Sequence, residues 1–168
     1  AYLQSSYIDK WAGFPLYQNT QTKYYSCGEE MFPDMLEALR GAKHFIFLEY
    51  FIIEEGYMFN TILDILEEKA KAGVDVRFIY DDVGSINSIS FGYYKKLQER
   101  GIPCVTFNPF KPLISVVMNN RDHRKIFVVD GYIGFTGGIN LADEYINKVK
   151  RFGYWKDTGV RIEGEAVW

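Results

Sequence analysis

Residues 43–53 read KHFIFLEYFII, apolar on both faces, as a strand covered on both sides should be. Before it, residues 28–40 carry Met31, Met35, Leu36 and Leu39 at helical spacing, and Gly41 stops the run. After it, residues 60–72 return to the helical period through Ile62, Leu63, Ile65, Leu66 and Ala70, with Gly73 as the stop. Residues 74–80 form a second buried strand, 81–85 (DDVGS) a turn-rich loop, 90–100 a third helix and 102–107 a third strand. Strand and helix alternating at this spacing predict an α/β fold, a mixed and mostly parallel β-sheet with helices on both faces. A short helix over 141–147 and a last strand over 158–162 complete it. Residues 1–22, with Gly13, Pro15 and weak periodicity, read as an extended arm before a short strand near 23–25. No repeat, low-complexity tract or linker divides the chain, so residues 1–168 form a single domain.

The pattern then changes to a hairpin. Two apolar runs flank Asp130-Gly131, a strong short-range hairpin signal. The period of two puts His123, Lys125, Phe127 and Val129 on one face of the first strand. A two-residue turn sets Val129 opposite Tyr132, Lys125 opposite Thr136 and His123 opposite Gly138. A nucleophile or base, a permanent cation and a Gly137-Gly138 gap thus converge, with Asn140 just beyond. That is a phosphate site in outline: a neutral imidazole can attack phosphorus, a lysine neutralises the non-bridging oxygens, and an amide donates to them.

Composition narrows the function. The chain is 48% hydrophobic and 17% aromatic, which describes a folded globular protein. Its formal charge is −3, so the chain as a whole offers nucleic acid no attraction, and none is expected as a partner. Cys27 and Cys104 stand far apart, in no metal or redox spacing, and read as free thiols in a reduced setting. Two histidines are too few for a zinc site built on His and Cys, and neither metal nor cofactor is expected. No run approaches the ~18–20 apolar residues of a membrane span. The chain starts at Ala1 and ends at Trp168 without a polar tail, which reads as a soluble piece of a longer protein.

His123-x-Lys125-x4-Asp130, followed by Gly137-Gly138-x-Asn140, resembles the HKD motif of the phospholipase D superfamily. LEYFI, DDVGS, FNPFKP, NNRDHRK and WKDT closely resemble bacterial cardiolipin synthases, over nearly the whole chain from about Tyr25. The resemblance implies the first of two phospholipase D-like halves of an enzyme at the bacterial cytoplasmic membrane. It implies metal-free, two-step transfer of a phosphatidyl group between two phosphatidylglycerol molecules through a phosphohistidine, with release of glycerol. Such an enzyme has two motifs whose histidines share a cleft, and this chain holds one. Its partner is therefore a second half of the same protein or a second copy in a homodimer, and the chain alone is expected to be inactive or nearly so. A homodimeric phosphodiesterase or nuclease, and a non-catalytic membrane-binding domain, are the alternatives.

The remaining candidates divide between chemistry and scaffolding. Asp130 lies seven residues from His123 along a strand, roughly 20 Å away, so its expected role is the turn, through its own backbone. The resemblance puts Asp157, in WKDT, against the histidine as its orienting carboxylate; otherwise it is a surface aspartate opening the last strand. Glu49, inside an apolar strand, needs a partner, either a structural cation or the substrate site. Asp81 and Asp82, at the end of a buried strand, bind a headgroup or cap a helix. Arg121 meets phosphate or lies in a solvated loop, while Arg124 points away from His123 and is expected in an ion pair. The 108–118 loop carries Leu113, Ile114 and Val117, which are either packed or exposed to lipid at a membrane surface.

Overall fold

The computed structural model describes residues 2–110 and 119–168. Seven strands, β1 (Thr20–Tyr25), β2 (Phe45–Tyr50), β3 (Asp75–Asp81), β4 (Cys104–Phe107), β5 (Ile126–Val129), β6 (Ile133–Gly137) and β7 (Gly159–Gly164), form one open sheet in the order β1-β7-β6-β5-β2-β3-β4. The α/β class and the mixed sheet are as expected, but the sheet is not mostly parallel. Among the described residues only β2–β3 and β3–β4 pair in parallel along named strands; the other four neighbouring pairs are antiparallel. Parallel pairing needs a helical crossover, and only α3 (Tyr57–Lys71) and α4 (Tyr93–Glu99) supply one.

Helices α2 (Gly28–Gly41), α3 and α4 share one apolar core with one face of the sheet, through Met35, Leu39, Phe59, Ile62, Leu66 and Leu97 against Ile46, Leu48, Phe78 and Phe127. Among the described residues the opposite face carries no such layer, so the expectation of helices on both faces is corrected. Phe45, Phe47, Ile79, Ile126 and Val128 line a groove of about 610 Å³ there, capped at one end by Trp168. Among the described residues the second face of β2 meets Trp168, whose ring lies 6.0 Å from that of Phe45, and Arg77, 5.0 Å over the Phe47 ring, and no α-helix.

The expected extended arm over 1–22 is also corrected. Tyr2–Ala12 is a helix, α1, with no buried residue, ended by the helix-breaking Gly13 at φ +70°. Helix α3 starts three residues before its apolar stripe suggested. Its exposed first N–H groups are capped from elsewhere: the Asp143 carboxylate accepts from Tyr57 N at 2.9 Å and Met58 N at 2.7 Å. Asp143 belongs to a short 3₁₀ turn, Asp143–Ile146, where a short helix was expected.

In the hairpin, Tyr132 N donates to Val129 O across Asp130 and Gly131, both at positive φ, so the tight turn forms. The ladder nevertheless runs Val129↔Ile133, Phe127↔Phe135 and Ile126↔Thr136. Tyr132 is an extra residue in the second strand, a bulge, and it moves every predicted cross-strand partner by one. Thr136 therefore faces Ile126 and not Lys125. The slip packs Phe127 edge-on to Phe135, with ring centroids 5.1 Å apart, inside the core.

Candidate active site

Strand directions gather the site on one edge of the sheet. The ends of β1, β2, β3 and β6 and the starts of β5 and β7 all open there. His123 stands exposed just before β5, with its ring 4.6 Å from that of Phe51, just beyond β2. Lys125 is buried beneath it. Its Nζ donates to His123 O at 2.7 Å, lies 3.2 Å from His123 Nδ1 and sits 5.4 Å over the Phe51 ring. Burial pulls the Lys125 ammonium below the usual lysine range, while the Asp157 and Asp122 carboxylates hold it up. A cation with little of its own solvation left binds an incoming anion more strongly.

Asn140 is 3% exposed and fixed at both ends. Its Oδ1 accepts from Ile52 N at 3.0 Å, and its Nδ2 donates to the Tyr145 hydroxyl at 2.8 Å. Nδ2 carries two hydrogens, and the second has no acceptor assigned among the described residues. Tyr145 packs against Trp155 with ring centroids 4.8 Å apart and planes tilted by 55°, and the Trp155 indole N–H points to Asp157 Oδ2 at 3.4 Å. Asp157 Oδ1 accepts from Thr158 N at 2.8 Å. The expected Asp157–His123 hydrogen bond is absent among the described residues, and Lys125 takes its place at Nδ1.

The glycine gap has a different use from the one predicted. A Cβ on Gly138 would collide with the Asp157 carboxylate, and one on Gly137 with Thr158 O. The space a side chain would take is filled by the residues that open β7, so these glycines admit Asp157 beside them.

The segment before the histidine is held by buried acids. Asp81, 1% exposed, accepts from Gly84 N at 2.8 Å, Asp122 N at 3.0 Å and Arg121 Nη1 at 3.2 Å. It therefore fastens the motif and caps no helix. Arg121 also reaches Asn108 O at 3.1 Å, and Asp82 takes Phe110 N at 2.7 Å, so both are engaged within the protein. Arg124 donates Nε and Nη2 to Asp122 at 2.9 and 2.7 Å. The same Nη2 lies 2.7 Å from Glu49 Oε1 without the alignment of a hydrogen bond. Glu49 has therefore found a structural cation, the ion pair expected of Arg124, on the sheet face away from the helices. Burial, then the neighbouring Asp122, push the Glu49 carboxyl up to about 7, against the pull of Arg124. The Arg124 hydrogen bonds hold Asp122 well below the usual carboxylate range.

Asp130 is structural, though not through its own backbone. Its carboxylate accepts from Lys43 N, His44 N and Phe45 N, each at 2.8 Å, and so pins the start of β2 to the hairpin. Burial raises its pKa, but these donors outweigh it and hold the group below the usual range. Leu113, Ile114 and Val117 lie outside the described residues. Sequence reasoning missed Phe51, Tyr145 and the fastening role of Asp81. Gly84 was the available signal, since a Cβ there would strike the Phe51 ring and carbonyl.

Comparison with known proteins identifies the family. Residues 35–151 match the family described as cardiolipin synthase, PLD-like domain. An uncharacterised protein of Streptococcus mutans is 50% identical over 99% of this chain and 36% of its own length. Cardiolipin synthases of Alkalihalophilus pseudofirmus and Staphylococcus aureus are 46% and 45% identical over 91% and 86% of this chain, and 30% and 29% of theirs. The chain thus spans about a third of these curated relatives. The fold matches a phosphatidylserine synthase of Haemophilus influenzae (TM-score 0.66, 20% identity, 86% of this chain and 33% of that one). It also matches NucT of Helicobacter pylori (0.63, 13%, 87% of each) and the phospholipase D family member Nuc of Salmonella typhimurium (0.60, 22%, 88% and 84%). With its histidine and lysine at the sheet edge and a family match across most of its length, this chain belongs to the cardiolipin synthase, phospholipase D-like domain family.

Proposed function

We propose that this chain is one catalytic half of a phosphatidyltransferase that makes cardiolipin from two phosphatidylglycerol molecules. His123 Nε2 attacks the phosphorus of the first; the P–O bond to glycerol breaks, and glycerol leaves with a proton from the counterpart histidine of a second half. A hydroxyl of the second phosphatidylglycerol gives that proton back and attacks phosphorus, the P–N bond breaks, and His123 is regenerated. Lys125 and the free hydrogen of Asn140 bind the phosphate oxygens. The observation that carries the reading is the exposed His123 over the buried, partly desolvated Lys125, in a chain about 45% identical to cardiolipin synthases.

One condition follows from the hydrogen bonding. With Lys125 donating to Nδ1, the ring proton sits on Nε2, and Nε2 cannot attack. When a phosphate claims Lys125, Nδ1 is released to carry the proton and needs an acceptor. Asp157, whose charge already acts on Lys125, is the carboxylate for that role. Catalysis then requires Lys125 to leave the imidazole as substrate binds.

The longer protein, wild type and His123→Ala, is incubated with phosphatidylglycerol vesicles and the lipids are resolved. Cardiolipin and glycerol from the wild type, and a loss of at least about 10³-fold in the variant, are expected. A variant within tenfold of the wild type overturns the reading. A second reading, a homodimeric phosphodiesterase, is favoured by the match to Nuc and NucT, which are close to this chain in length. Phosphodiester hydrolysis by a dimer of this chain, without transfer to phosphatidylglycerol, would select it.

A further inference from the structure

Two exposed loops border the site on the same edge of the sheet. One, residues 82–92, follows β3 and exposes Ile86 and Phe91, the latter 94% exposed. The other, residues 148–156 (KVKRFGYWK), precedes β7 and exposes Val149, Phe152 and Tyr154, at 49%, 70% and 64%. The second loop holds Lys148, Lys150, Arg151 and Lys156 and no carboxylate, in a chain of net charge −3. Arg151 is paired with Glu54 and Glu144, Lys148 lies 4.3 Å over the Tyr57 ring, and Lys156 donates to Ser26 O.

The base of the loop is fixed while its tip is not buried. Asn147 accepts from Trp155 N at 2.6 Å and donates to Trp155 O at 2.9 Å. Trp155 packs against Tyr145, which bonds Asn140 in the site. Aromatic rings with a tolerance for partial wetting, interleaved with lysines and held at a fixed angle, suit the headgroup region of an anionic bilayer.

We propose that the 148–156 and 82–92 loops dock this edge of the sheet onto an anionic phospholipid surface, so that His123 faces the headgroup layer between them. This rests on the lipid reading of the site and adds to it the surface and the orientation. A neutral apolar partner would not call for lysines among the aromatics, whereas a surface of phosphodiesters would.

The 168-residue chain is tested by co-sedimentation with vesicles of phosphatidylglycerol and phosphatidylcholine, and of phosphatidylcholine alone. Binding to the anionic vesicles, reduced by salt, is expected. Phe152→Ser with Tyr154→Ser, and separately Lys148→Glu with Lys150→Glu, should each weaken it at least about tenfold. Tyr132→Ser, at the opposite edge of the sheet, should not. Circular dichroism verifies the fold of each variant, and Phe91→Ser supplies an independent one. Wild-type binding that both loop variants leave unchanged overturns the proposal. So does a failure of the wild type to bind, or a change of oligomeric state with unaltered vesicle binding, which would assign the patch to a protein partner. The lipid reading itself is decided separately, by the products of the His123 experiment.

Discussion

Glu49 gives the sharpest test of the electrostatics behind the site. Its carboxyl sits beside Asp122 and under Arg124, is 18% exposed, and is pushed from its ordinary 4.5 up to about 7. The folded protein therefore keeps the proton to higher pH than the unfolded chain. The sign follows from linkage: the stabilisation is fully present below pH 4.5 and is lost as pH rises through 7. At ~1.4 kcal/mol per pH unit the ceiling is about 3 kcal/mol, and relaxation of a partly exposed side chain brings it to on the order of 2 kcal/mol. Asp122 acts in the opposite sense, but below pH 4, so the two windows do not overlap. Glu49→Gln keeps the shape and a hydrogen-bond donor toward Asp122 and has no charge to lose. Urea unfolding of both proteins at pH 5, 6, 7 and 8 isolates the effect, because Asp122 and Arg124, the charged groups beside Glu49, titrate outside this range. Wild-type stability should fall by about 2 kcal/mol relative to the variant between pH 5 and pH 8. A difference that stays constant within ~0.5 kcal/mol would refute the raised Glu49 carboxyl.

Two further substitutions test the scaffold. Asp130→Ala leaves three N–H groups at the start of β2 without their acceptor and should cost about 2–4 kcal/mol in urea unfolding. Because the Asp130 carboxyl is held below its usual range, its contribution is present above pH ~4 and fades as pH falls, so wild type and variant should converge in acid. Gly138→Ala forces the new methyl group against the Asp157 carboxylate. It should cost roughly 1–3 kcal/mol of stability and, under the proposed function, lower phosphatidyl transfer at least about 10²-fold, more than its loss of stability explains. Activity within twofold of wild type would mean that the placement of Asp157 is irrelevant to the chemistry.

What depends on neighbours along the chain was legible before folding. Helical stripes at Met31–Leu39 and Ile62–Ala70, the apolar runs of β2 and β3, and the Asp130-Gly131 turn are set by spacing within a few residues, and each appears. The pairing of His123 with Lys125 is also local, since two residues in an extended segment share a face. The remaining contacts depend on residues far apart in the chain. The bulge at Tyr132 pairs Val129 with Ile133, with Phe127 against Phe135 in the core, and nothing within the hairpin's own turn announces it. Asp130 finds its donors at residues 43–45, and Asp143 caps α3 from beyond residue 140. Gly137 and Gly138 are small because β7 arrives beside them, twenty residues later. Each of these partners is chosen by chain folding, and side-chain periodicity records which face a residue takes but not what it meets there.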